Sequence, residues 1–192
     1  MSVTETSTAT RTVDGTEVPA AGTYAIDASH SQAGFVVRHL MVSKVRGAFT
    51  GVSGTVTVAE DVNDSTVAVE IDPASIDTRD AGRDEHLRTG DFLDVDAFPT
   101  ITYASTGLRR DGGYWVLDGD LTIKGISRPV RLEVEFLGAA GDPWGGTRLG
   151  FSAKGELDRE DWGLNWNQAL ETGGVLVGKK VTLEIEAELI QQ

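Results

Sequence analysis

The chain predicts an all-β fold, and three observations carry that expectation. Alternation of period two recurs along the sequence, little helix separates the alternating segments, and glycines fall inside strand-like stretches. In STVAVEID, Val67, Val69 and Ile71 face one way while Thr66, Ala68 and Glu70 face the other. VRLEVEFLG sets Val130, Leu132, Val134 and Phe136 opposite Arg131, Glu133 and Glu135. VTLEIEAELI sets Val181, Leu183, Ile185 and Ala187 opposite Thr182, Glu184 and Glu186. Charged residues on one face and apolar ones on the other mean half-solvated strands. That pattern belongs to antiparallel sheets, because covered parallel strands read as continuous apolar runs.

Taken in order, residues 1–22 are rich in Thr, Ser and Glu and show no apolar periodicity. They are expected to be a disordered leader before one domain over 23–190. The leader has no basic start followed by an apolar core, so it does not read as a secretory signal. No later run is apolar enough to span a bilayer, and the expectation is a cytoplasmic protein without stable membrane insertion. Further strands are expected at 31–38, 45–59, 99–108, 114–123 and 147–157. About eight such strands suit a closed barrel or a sandwich. Gly47, Gly51 and Gly54 sit within VRGAFTGVSGTVTV, where glycine marks a bend, a bulge or a close approach, and this favours the barrel. The alternative is that they end separate short strands at turns.

Residues 73–98 break the alternation. Asp80 can cap a short helix running through Leu87. Leu87, Phe92, Leu93 and Phe98 would pack this insertion against the barrel as a lid over one mouth.

Composition removes several functions. With 30 acidic and 17 basic residues the formal charge is −13. Phosphate contacts need a basic face, so nucleic acid is excluded as a partner and adsorption to anionic membranes is disfavoured. There are no cysteines, which rules out disulfides, thiolate nucleophiles and Cys-ligated metals. The histidines are His30, His39 and His86, with Asp27 and Asp84 as acidic neighbours of the first and last. None makes an HxH, HxxxH or HExxH spacing, so no metal site is expected. DASHS holds Asp27, His30 and Ser31, but adjacent strand residues point to opposite faces and no nucleophile elbow occurs elsewhere. The Gly pairs at 112–113, 145–146 and 173–174 match no phosphate loop, and no cofactor is expected.

Two features remain as candidates. HSQAGFVVRHLMVSKVRG gathers Arg38, His39, Lys44 and Arg46 just after an apolar strand. These cations can meet an anionic head group, or Arg38 and Arg46 can pair with acids of the 73–98 insertion. In DREDWGLNWN, Trp162 and Trp166 can line a binding mouth or cork one end of the barrel.

Several stretches together resemble the YceI-like family. They are IDASHSQAGFVVRHLMVSKVRGAF, SIDTRDAGRDEHLRTGDFLDVDAFPTITYAST, GDLTIKGISRPVRLEVEFLG, GDPWGGTRLGFSAKGELDREDWGLNWN and LVGKKVTLEIEAELI, in that family's order. The resemblance implies an extended antiparallel eight-stranded lipocalin-like β-barrel around a long apolar cavity. It also implies binding of polyisoprenoid or other amphiphilic chains, frequent homodimerisation and no catalytic apparatus common to the family. Many members carry an export leader, and the Thr-rich N-terminus departs from that pattern. Under this resemblance Phe35, Val37, Phe49, Phe92, Ile101, Tyr103, Leu121 and Phe151 furnish the interior. Arg38, His39, Lys44 and Arg46 then lie by the head group, with Trp162 and Trp166 near the mouth. The function expected is non-enzymatic carriage or storage of an isoprenoid-like amphiphile. The alternatives are an isomerase or cyclase with His39 or His86 as proton shuttle, and a scavenger of lipophilic toxins or antibiotics.

Overall fold

A computed structural model describes residues 9–192. An N-terminal hairpin of β1 (Thr10–Val13) and β2 (Thr16–Pro19) precedes β3 (Gly22–Ile26), β4 (Gln32–His39), β5 (Ser43–Phe49) and β6 (Val52–Val58). Then come β7 (Thr66–Ile71), β8 (Ile76–Asp77), helix α1 (Ala81–Arg88), β9 (Ile101–Asp111) and β10 (Tyr114–Ile123). The long strands β11 (Ile126–Gly141), β12 (Thr147–Asp158) and β13 (Val177–Gln191) complete the chain. All pairings are antiparallel, in the order β12-β11-β10-β9-β7-β6-β3-β13, and β13 returns to β12. The ring therefore has eight strands and no free edge along that circuit.

Three of those walls are creased. β3 and β4 share one edge of β13, with Ile26 opposite Leu189 and then Ala33 opposite Ile185. β5 and β6 continue the same way against β4 and β3, and β8 and β7 against β5 and β6. The expected strand over 45–59 is thus corrected to two segments broken at Thr50 and Gly51. At the break Gly51 N–H donates to Ser75 Oγ at 2.9 Å, and Gly51 carbonyl accepts from Asp72 N–H at 2.8 Å. Neighbouring walls bend at the same level, so the glycine sits on a corner of the sheet.

Gly54 and Gly119 act through close approach instead. A Cβ on Gly54 would lie 2.3 Å from the Ala68 carbonyl oxygen, and one on Gly119 would lie 2.4 Å from the Tyr103 ring. The second glycine lets the Tyr103 ring lie flat against the wall.

The expected leader is corrected over its second half. Residues 1–8 fall outside the described residues, but residues 10–19 pair with each other, Arg11 opposite Val18 and Thr12 opposite Glu17. The hairpin closes one end of the barrel. Val18 is buried, Arg11 reaches the Ala59 carbonyl at 2.5 Å, and Arg110 donates to Thr16 Oγ1. Polar composition concealed it, because only Val18 and Pro19 turn inward.

Helix α1 stands at the opposite end, capped as its sequence suggests: Asp80 accepts from Arg83 N–H at 2.9 Å. Phe92 and Leu93 are buried in the main core, with Leu87 packed on it, while Phe98 covers Gly125 at the β10–β11 turn. No helix among the described residues is long and apolar enough to cross a membrane.

Candidate ligand cavity

Alternation decides what points inward. Val67, Val69 and Ile71 of β7, Leu132, Val134 and Phe136 of β11, and Leu183 and Ile185 of β13 all face one interior space. That space is a cavity of about 550 Å³, within the roughly 300–1,000 Å³ usual for small-molecule sites. Its walls are overwhelmingly apolar. Of the interior residues singled out from sequence, Phe35, Val37, Phe49, Phe92, Ile101, Tyr103, Leu121 and Phe151 all border it. Phe35 and Phe49 pack with centroids 5.7 Å apart, and Phe136 and Phe151 with centroids 5.1 Å apart.

Tyr103 brings a hydroxyl into this apolar room, and the wall absorbs it. The phenol lies 3.3 Å from the carbonyl oxygens of both Leu117 and Val130, to which it is able to donate. Burial, reinforced by Asp118 and Asp120, pushes its pKa up, so it stays a neutral donor.

The two ends differ. At the hairpin end the cavity is bounded by buried residues such as Val18, Val58 and Leu189. At the α1 end its border includes half-exposed His39, His86, Leu87, Trp166 and Leu176, so this end is the mouth. The basic side chains bordering the cavity, Arg38, His39, Arg83, His86 and Arg159, all belong to that end. His86 Nε2 is 2.7 Å from Asp91 Oδ2, and its ring meets Phe92 and Trp166 at centroid distances of 5.3 and 4.8 Å. The expected neighbour Asp84 is instead buried and accepts from Thr78 N–H at 2.9 Å.

Arg159 is the residue that sequence reasoning missed. It is 4% exposed, and its guanidinium donates to the carbonyls of Gly178, Leu164, Trp166 and Val177. Burial lowers its pKa from the usual arginine value. It ties the loop between β12 and β13 to the start of β13, at the cavity wall. An Arg in the acidic string DRED gives no sequence signal of burial.

Three expectations are corrected. Lys44 and Arg46 do not border the cavity, because strand alternation turns them onto the outer face with Val36 and Arg38. Arg46 pairs there with Glu184 of β13 at 2.6 Å, rather than with the 73–98 insertion. Arg38 borders the mouth but is exposed on that same outer face. Trp162 is not a mouth residue: it is 2% exposed, and its indole donates to the Leu121 carbonyl at 2.9 Å. It corks the core, while Trp166 lines the mouth.

Outside the cavity, Asp27, His30 and Glu188 lie close enough to share an ion. Arg148 already occupies that role, bonding Asp27 at 2.6 Å and also Glu188. The donor set is that of an ion-pair network. Ser31 turns away from His30 and donates to the Glu188 carbonyl at 3.3 Å, so DASHS forms no triad.

Residues 24–189 match the model of the YceI-like domain. A UPF0312 protein of Staphylococcus aureus is 42% identical over 169 residues, covering 86% of this chain and 95% of that protein. Among solved structures, Burkholderia cenocepacia BcnA superposes with a TM-score of 0.73 at 20% identity, over 85% of this chain and 98% of that one. A polyisoprenoid binding domain from Saccharophagus degradans, implicated in plant cell wall breakdown, gives a TM-score of 0.63 at 15% identity, over 88% and 98%.

Proposed function

This chain belongs to the YceI-like family, and from that premise we propose that it is a non-enzymatic barrel that carries or stores an isoprenoid-like amphiphile. The observation that carries the reading is the polarity of the cavity along its length. An apolar room closed by the N-terminal hairpin suits a hydrocarbon tail. The cationic and hydrogen-bonding side chains at the α1 end suit a phosphate, carboxylate or quinone head. The Saccharophagus degradans neighbour is a polyisoprenoid binding domain, which is consistent with this ligand class.

Magnitudes set the tail length. Each buried methylene-sized group contributes about 0.8 kcal/mol, so ten carbons supply on the order of 8 kcal/mol. Association costs roughly 4–15 kcal/mol, so firm retention calls for a tail longer than about ten carbons. The head group adds orientation more than affinity.

Organic extraction of the purified protein, with mass spectrometry of the extract and a heat-denatured control, tests the proposal. A near-stoichiometric long-chain amphiphile supports it. Failure to take up any polyprenyl or long-chain amphiphile offered in excess would remove it.

A second reading has one observation in its favour. The His86–Asp91 pair at the mouth is an acid–base couple in contact with the cavity. An enzyme built on it requires that His86→Ala abolish conversion of a bound isoprenoid while sparing its retention. Unchanged product formation in that variant would exclude it.

A further inference from the structure

We propose that the tip of the β4–β5 hairpin is a docking element for an anionic lipid bilayer. In this arrangement Leu40, Met41 and Val42 enter the interface, while Arg38 and Lys44 meet lipid phosphates. The purpose of docking, passage of an amphiphile between bilayer and cavity, rests on the function proposed above; the docking itself does not.

The first observation is exposure. Leu40, Met41 and Val42 are contiguous and 39%, 54% and 82% exposed. The second is backbone conformation. Leu40 and Met41 both adopt left-handed φ, at +53° and +62°, and Val42 N–H closes the turn on the His39 carbonyl at 3.2 Å. Such a turn is served best by Asn-Gly, and a bulky side chain there is strained. The fold holds two apolar side chains out to solvent in the conformation that least suits them. Strain of this kind persists at sites where display of the side chain matters.

Position is the third observation. Leu40 N–H donates to the Leu176 carbonyl at 2.9 Å, and Leu176, Val177 and His39 border the cavity. The tip therefore abuts the mouth. Charge is the fourth. Arg38 and Lys44 stand opposite each other across the base of the hairpin, both exposed, on a chain of net charge −13. An apolar tip within a basic collar is the pattern that interfacial elements present to anionic head groups. The acidic remainder of the molecule opposes deeper approach, so docking is shallow and reversible.

The test is flotation of the full chain with vesicles of phosphatidylcholine containing a minority of phosphatidylglycerol, against phosphatidylcholine alone. Wild type is expected to float with the anionic vesicles and much less with the neutral ones. The double variant Leu40→Asn, Met41→Gly relaxes the turn, so it should melt no lower than wild type yet lose about tenfold or more in vesicle affinity. Val42→Ser should lose part of it. Trp144→Ser, an 87% exposed aromatic at the other end of the barrel, should change nothing.

Wild type that floats with neither vesicle overturns the proposal. So does an Asn–Gly variant that floats like wild type, or a Trp144→Ser variant that does not float. Equal flotation on the zwitterionic phosphatidylcholine vesicles overturns the requirement for anionic lipid, and with it the electrostatic role of Arg38 and Lys44. Uptake of a soluble fluorescent polyprenyl amphiphile is measured in parallel. Uptake lost with flotation kept would sink the carrier reading alone, and the reverse would sink docking alone.

Discussion

His86 stands edge-on to Trp166 at the mouth of the cavity, with ring centroids 4.8 Å apart and planes 87° apart. Asp91 fixes the imidazole from behind at 2.7 Å. The contact joins α1 to the loop before β13 at the cavity border, so under the carrier reading proposed above an amphiphile passing this end meets it. Trp166 should therefore report ligand entry, whereas Trp162, sealed beneath Leu121, should not. In protein with Trp166→Phe, most of the fluorescence change on loading should vanish. Trp166→Ala should accelerate ligand release by about tenfold in stopped-flow measurements, the effect of losing one aromatic contact of roughly 1 kcal/mol or slightly more.

Ala153 faces inward from the middle of β12 and is nearly buried. Ala153→Phe should fill the cavity and abolish uptake, at a stability cost of about 1–3 kcal/mol. Gly51→Trp is the matched control. A side chain at Gly51 meets Asp72 and Ser75 on the outer corner and not the cavity, so uptake should survive. Uptake retained by folded Ala153→Phe would place the ligand elsewhere.

Arg159→Met should cost about 3–5 kcal/mol, because the carbonyls of Leu164, Trp166 and Gly178 lose the guanidinium donor, while Val177 keeps only that of Asn167. The loss should concentrate in the segment from 160 to 178, read as faster amide exchange there than in β9 or β10. Uniform exchange across the barrel would show that Arg159 holds no local element.

The Asp27 carboxyl is held well below the usual carboxylate range by hydrogen bonds from Ser29, His30 and Arg148, set against partial desolvation. A depressed folded-state pKa means the stabilisation is present above the unfolded value, about 3.9, and is lost as pH falls through the folded one. Thermal melts should therefore decline below about pH 4. Asp27→Asn should lower stability at pH 7 by roughly 1–2 kcal/mol and flatten that acid limb. An unchanged acid limb would remove Asp27 as its source.

Alternation of period two separated the two faces of each strand, and the resemblance to the YceI-like family supplied the interior set. Every apolar position chosen as inward-facing on β4, β5, β9, β10 and β12 does border the cavity. The same rule, carried two residues further, turns Lys44 and Arg46 outward, and the grouping of cations by proximity in sequence obscured this. Arg159 and the β1–β2 hairpin were illegible for a different reason. Their structural roles come from contacts with residues far along the chain, such as Val177 for Arg159 and Ala59 for Arg11. Trp162 and Trp166, four positions apart, went to opposite roles because the 3-10 turn and left-handed Gly163 between them reverse the chain.

The seam that shuts the ring joins β3 and β4 near the start of the chain to β13 at its end, with Ile26 facing Leu189 and Phe35 facing Leu183. Every other wall pairs with its neighbour in sequence, so seven walls can assemble while the chain is still being made. The eighth cannot, and contacts of such sequence separation are also the slow ones in folding. Until β13 docks, the sheet is an open trough with its greasy lining uncovered. The cavity comes into being only when β13 docks on β12 along one edge and on β3 and β4 along the other.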